Sequence, residues 1–103
     1  MKIEFSNKEL LKLYTTGKSK KYQLNQNVIR KFFMRIQQLE AAKDIYDLWT
    51  TPSVKFEKIK SSKKMYSLRI DRVYRLEVQI EFENKEKTEG KVFIKMISKH
   101  YGE

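Results

Sequence analysis

The sequence predicts an α+β fold in which an N-terminal helical hairpin packs on one face of a small, mainly antiparallel four-stranded sheet. Three observations carry this. Val28, Ile29, Phe32, Phe33, Ile36 and Leu39 recur at three- and four-residue steps, the period of a helix with one buried face. Beyond Pro52 the period falls to two: Tyr66, Leu68 and Ile70 alternate with polar residues, and Tyr74, Leu76, Val78, Ile80 and Phe82 do so again, as half-buried strands would. A chain of 103 residues supplies one core, so residues 1–103 are expected to form a single domain.

Each element has its own signal. Ile3 and Phe5 suggest a short first strand. Ser6-Asn7-Lys8-Glu9 has the Ser-x-x-Glu form of a capping box before Leu10, Leu11, Leu13 and Tyr14, and the helix should stop near Gly17. After the basic connector Lys18 to Gln23, Asn25 can cap the longer helix, which should run to about Lys43 with a further turn from Asp44 to Trp49 before Pro52 breaks it. Val54 and Phe56 then begin a strand, the hairpin Tyr66 to Phe82 follows, Asn84 to Gly90 is a charged turn, and Lys91 to Ile97 is the last strand. Val92, Phe93, Ile94, Met96 and Ile97 make that strand apolar on both faces, as expected of a covered central strand. Phe32, Phe33 and Ile36 should face Leu68, Ile70, Leu76, Val78 and Ile80 across the core. No repeat, linker or low-complexity segment interrupts this plan.

Charge narrows the function. The 23 Lys+Arg exceed the 13 Asp+Glu by a formal +10, which points to a polyanionic partner. A membrane is not expected, because no apolar run approaches the roughly 20 residues of a spanning helix and no basic amphipathic helix stands apart from the fold. Met1-Lys2-Ile3-Glu4-Phe5 runs straight into folded-looking sequence without a signal peptide. The absence of cysteine removes disulfides and thiolate chemistry, and a reducing, cytoplasmic setting is expected. Three scattered glycines cannot build a phosphate loop, and one His without other ligands at suitable spacing cannot build a zinc site. No metal and no cofactor are expected.

The hairpin poses a question. If both apolar rows face one core, opposing residues have numbers of equal parity, so Ile70 sits across from Tyr74, the loop is Asp71-Arg72-Val73, and Arg69 lies opposite Arg75. Like charges placed so are destabilising. Either a phosphate sits between the two guanidiniums, or Glu57, Glu77 or Glu81 neutralises them locally. Lys55, Glu57, Ser67, Arg69, Arg75, Glu77 and Gln79 are expected on the open face of the sheet, where Arg75 should be exposed and its loss nearly neutral for stability, within about 0.5 kcal/mol. Arg72 in the hairpin loop, Lys58, Lys60, Lys63 and Lys64 before the hairpin, and Lys99, His100 and Tyr101 after the last strand extend this basic surface. Cations that neutralise phosphates beside rings that stack on bases suit single-stranded RNA. Taken singly, His100 reads as a solvated residue, Tyr101 as a packing residue and Lys58 to Lys64 as a solvated turn.

The order of these pieces resembles a known family. A Phe5-Ser6 start leads to the helix Glu9-Leu10-Leu11-Lys12-Leu13 ending at Gly17, and the second helix ends in Leu39-Glu40-Ala41-Ala42. Phe56-Glu57-Lys58-Ile59-Lys60 precedes Tyr66-Ser67-Leu68-Arg69-Ile70 and Tyr74-Arg75-Leu76. Together these are similar to the HigB-type killer toxins of the RelE/ParE superfamily, over nearly the whole chain and most specifically in YSLRIDRVYRL. The resemblance implies a RelE-like fold and a toxin of a type II toxin-antitoxin system, an mRNA interferase that enters the ribosome and cuts messenger without a metal. It implies as partners a helix-turn-helix antitoxin (HigA-like), the ribosome and mRNA. It places the family's loop Lys on Lys60, its strand Arg on Arg75 and its near-terminal Tyr on Tyr101. Relatives often carry His three residues before that Lys, where this chain has Glu57, and end in Asp-Tyr-His, where it has His100-Tyr101-Gly102. Glu57, His100 and Tyr101 are therefore the implied proton carriers, and on the basic surface read above Lys55, Lys58, Lys63, Lys64, Arg69, Arg72 and Lys99 are the expected phosphate contacts. The same fold also implies two alternatives: a ParE-like inhibitor of DNA gyrase, and a degenerate relative that only binds RNA or antitoxin.

Overall fold

Helices begin in this chain where an Asn or Asp can accept from the first exposed backbone N–H groups. In the computed structural model, which describes residues 1–99, α1 (Lys8–Thr16) is capped by Asn7, whose Oδ1 accepts from Glu9 N at 3.0 Å and Leu10 N at 3.2 Å. The cap is Asn7 and not Ser6, so the expected capping box does not form; Glu9 instead accepts from Ser19 Oγ at 2.9 Å, which holds its carboxyl below the usual range. Gly17 ends α1 in the left-handed conformation, φ 77°. Asn25 caps α2 (Gln26–Ala41), and Asp44 caps the short α3 (Ile45–Trp49).

The strands are β1 (Lys2–Phe5), β2 (Glu57–Lys58), β3 (Met65–Arg69), β4 (Tyr74–Phe82) and β5 (Gly90–Lys99), in the spatial order β1-β5-β4-β3-β2. The sheet is thus five-stranded and mixed, not four-stranded, and three helices rather than a simple hairpin precede most of it. β1 pairs in parallel with β5, from Lys2 opposite Lys91 to Phe5 opposite Ile94. Parallel neighbours require a long crossover, here almost the whole chain, and no local pattern announces such a partner. The strand expected to begin at Val54 does not begin there. Pro52–Val54 is a 3-10 turn, and Lys55 is left-handed at φ 41°, so Val54 and Phe56 both enter the core without being in a strand.

The β3–β4 hairpin has the expected register, Arg69 opposite Arg75 and Leu68 opposite Leu76. Its loop is closed by Asp71, whose Oδ1 accepts from Val73 N at 2.8 Å and Tyr74 N at 2.7 Å. β5 departs from simple alternation. Glu77 faces Met96 but Val78 faces Ile94, leaving Lys95 as an extra residue in a bulge. The bulge switches parity, so Val92, Ile94 and Ile97 all enter the core, while Phe93 is half-buried and Met96 is exposed on the other face. The strand expected to be apolar on both faces is therefore a bulged strand with one covered face. Phe32, Ile36 and Leu39 of α2 and Leu10 and Leu13 of α1 pack as a fully buried layer over Leu68, Leu76, Val78, Ile80, Val92 and Ile94, with Phe33 half-buried at the edge. Among the described residues no helix is long and apolar enough to cross a membrane.

Asn7 joins the two irregularities, because its Nδ2 donates to the carbonyl of the bulge residue Lys95 at 3.0 Å while Oδ1 caps α1. Asn7→Ala should cost about 2 kcal/mol, about 1 for the cap and about 1 for the bulge bond. Asn7→Ser keeps a capping oxygen but has no amide to reach the Lys95 carbonyl, so urea titration should show roughly half the loss. Equal losses in the two variants would contradict this division.

Candidate functional site

Equal-parity pairing lines up Glu57, Ser67 and Glu77 across β2, β3 and β4, with Arg75 diagonal to Ser67. At that diagonal the long side chain reaches its neighbour. Arg75 Nε donates to Ser67 Oγ at 3.1 Å and Nη2 donates to the Lys55 carbonyl at 2.9 Å. Glu57 Oε2 lies 3.7 Å from Nη2, the Arg75 side chain being 8% exposed and that of Glu57 59%. Arg75 is thus buried, contrary to the expectation of an exposed position. The physical reason is the chain before β2, which turns at the left-handed Lys55 and lays its carbonyl against the guanidinium. Nη1 makes no hydrogen bond to a described residue. A cleft of about 330 Å³ opens here, lined by Glu57, Lys58, Ile59, Ser67, Arg75, Glu77, Ser98 and Lys99.

Arg69 turns the other way. Its Nε donates to the Asp71 carbonyl at 3.1 Å, and it lines a larger cleft of about 720 Å³ with Lys31, Arg35, Lys55 and Arg72. The two arginines are neighbours in register, yet their hydrogen bonds send the guanidiniums to separate clefts, and Glu57 stands near only one. This lowers the repulsion that the pairing raised.

The remaining sequence candidates are scattered. Lys58 and Lys99 join Arg75 in the smaller cleft, while Lys60 sits exposed in the turn after β2 and is not among the lining residues. Lys63 and Lys64 line a groove at the far end of the hairpin with Tyr66, Phe82 and Lys87, and Lys64 Nζ is 3.9 Å from Glu81. His100 and Tyr101 lie outside the described residues. Sequence reasoning missed Ser67 as the partner of Arg75, and it missed Arg35. The latter left a signal: Phe32, Arg35, Ile36 and Leu39 share one helical stripe, where a charged residue is out of place. Arg35 is buried, and burial pushes its pKa down.

Because Arg75 is hydrogen-bonded inside the fold, Arg75→Ala should destabilise by about 1.5–3 kcal/mol, the range for bonds to a charged group, and not by the near-zero amount of a surface change. Ser67→Ala, which leaves the buried Nε–H without its acceptor, should cost a comparable amount, about 1–3 kcal/mol, and the double variant less than the sum of both. Chemical denaturation of the three variants measures this; strict additivity would show that the Ser67 bond contributes nothing.

Comparison with known proteins agrees with this architecture. Residues 3–92 match the family described as the RelE-like toxin of type II toxin-antitoxin system HigB. No curated protein matches the sequence. Among solved structures, a YoeB/ParE toxin from Agrobacterium tumefaciens superposes with a TM-score of 0.54 at 15% identity, covering 98% of this chain and 100% of that one. At such identity the superposition speaks for the fold alone, a RelE-like α+β arrangement. The family match spans most of the sequence, all three helices and the whole β3–β4 hairpin, and the chain belongs to the HigB-like toxins of type II toxin-antitoxin systems.

Proposed function

We propose that this toxin is a ribosome-dependent mRNA endonuclease that acts in the cytoplasm and is held inactive by a HigA-like helix-turn-helix antitoxin. The observation that carries the reading is the Arg75 guanidinium, fixed by Ser67 and the Lys55 carbonyl with Nη1 unengaged among the described residues, at a cleft shared with Lys58 and Lys99. Donors already in place where charge develops stabilise a transition state without reorganising during the reaction. In the reaction the 2'-oxygen attacks the adjacent phosphorus, the 5'-oxygen of the next nucleotide leaves, and a 2',3'-cyclic phosphate results. Arg75, Lys58 and Lys99 offset the added charge of the pentavalent phosphate, and Lys60 approaches from the neighbouring turn. Protons must leave the 2'-hydroxyl and reach the departing oxygen. Glu57, beside Arg75, is the candidate base, with His100 and Tyr101 as the other carriers.

The test is primer extension on a translated messenger, run with thermal unfolding so that only folded variants are compared. Wild type should cut; Arg75→Ala should lose about 10²–10³ in rate, and Arg75→Lys should recover part of it, because a point charge lacks the planar fork. Antitoxin should abolish cutting, and its hold should weaken with salt, as attraction to a basic face does. Uncut messenger with lost DNA supercoiling would point to gyrase and contradict the proposal. Wild-type cutting by a folded Arg75→Ala would also contradict it.

A further inference from the structure

The larger cleft contains a cation that no described carboxylate balances. Arg35, 7% exposed, donates Nε to the Arg69 carbonyl at 2.5 Å, Nη1 to Gln38 Oε1 at 2.8 Å and Nη2 to the Ser53 carbonyl at 3.3 Å. All three acceptors are neutral, and among the described residues Arg35 makes no ion pair. A buried charge is costly unless it is paired, and a guanidinium does not shed its proton to escape that cost. Four more cations surround the cleft: Lys31, Lys55, Arg69 and Arg72. Against these five the lining holds one acid, Asp71, whose Oδ1 is committed to the loop N–H groups of Val73 and Tyr74. Such an arrangement, in a cleft of about 720 Å³, has the charge and the room for an anion larger than a single carboxylate.

Position identifies the anion. Lys55 lines this cleft, and its carbonyl holds Arg75 in the smaller one. It is one of only two described non-glycine residues with a left-handed backbone, φ 41°, a conformation that costs of order 1 kcal/mol and gathers at functional sites. Arg69 lines the larger cleft from the position directly across β3–β4 from Arg75. The two clefts therefore adjoin at Lys55 and at the Arg69–Arg75 pair. Guanidinium forks fit phosphate oxygens two at a time, and the exposed Val73 and Pro52 offer apolar contact for a sugar or base.

We propose that the Arg35 cleft is a second RNA-phosphate subsite, which holds the strand at a phosphate next along from the one at Arg75. The inference rests on the RNA-directed reading above. Arg35 shapes the floor, and Lys31 and Arg72, both exposed, supply charge that can be removed without touching the core.

The experiment measures binding of a fluorescent, uncleavable 2'-O-methyl RNA octamer over a range of salt. The variant Lys31→Gln/Arg72→Gln should bind at least about tenfold more weakly at low salt. Its log K against log salt should flatten by about 1.4, two contacts at roughly 0.7 each for a single strand. The control Lys12→Gln/Lys85→Gln removes the same charge elsewhere and should change neither quantity by a comparable amount. Wild-type affinity and slope in the cleft variant, or an equal loss in the control, would overturn the subsite. So would undisturbed RNA binding with a tenfold loss for an oligoglutamate octamer, which would assign the cleft to an acidic peptide. Primer extension on the same proteins separates the two readings. Cutting by wild type with unchanged binding in the cleft variant leaves the nuclease and removes the subsite; absent cutting with a flattened slope does the reverse.

Discussion

The placement of the Arg75 guanidinium is the constraint on which the site depends. It follows from the hairpin: apolar residues of equal parity must share the core face, and Asp71 closes a loop of one length, so Arg75 falls opposite Arg69 and diagonal to Ser67. Once there, the guanidinium is too enclosed to be left without acceptors. Ser67 supplies one from β3 and Lys55 another from the chain before β2. The second bond ties a segment with almost no strand of its own to the sheet, because β2 is only Glu57–Lys58. The left-handed turn at Lys55 and the placement of Glu57 thus enclose this one cation and shape the mouth of the smaller cleft.

Arg35 does comparable work at the end of α2. Its three neutral acceptors come from α2, from the 3-10 turn and from the end of β3, so it fastens the helical layer to the hairpin. In doing so it leaves charge uncompensated. A domain with a formal charge of +10 already repels itself, and concentrating five cations around one cleft adds to this. The like-charge pair in the hairpin and the unbalanced Arg35 are the same kind of feature: local electrostatic cost retained beside a cleft that an anion would relieve.

How much of this was legible in the sequence depended on range. α2 and the β3–β4 hairpin were legible because both are local patterns, a helical stripe and an equal-parity alternation closed by Asp71. The Gly17 stop was legible because its backbone is left-handed. The β1–β5 pairing was not, since Ile3 and Phe5 carry no mark of a partner at Val92 and Ile94. The bulge was misread because one inserted residue, Lys95, makes a half-covered strand look apolar on both sides. Burial of Arg75 was missed for a different reason: periodicity says which face a side chain takes, but not that a non-sheet segment will fold over that face. Arg35 was visible as a charge on the apolar stripe of α2, and its meaning required knowing that its acceptors are neutral.

Whether the Arg75 guanidinium is in place before RNA arrives is read most directly from its Nε–H proton in ¹H–¹⁵N spectra of the labelled toxin. With Nε held by Ser67 in a buried position, its exchange with water should be much slower than that of Arg30, whose exposed guanidinium bonds to Asn27 alone among the described residues. Addition of an uncleavable RNA octamer should shift the Arg75 signal and leave that of Arg30 in place. An Arg75 Nε–H that exchanges as fast as that of Arg30, or that stays unmoved by bound RNA, would show that the guanidinium is neither preorganised nor at the phosphate.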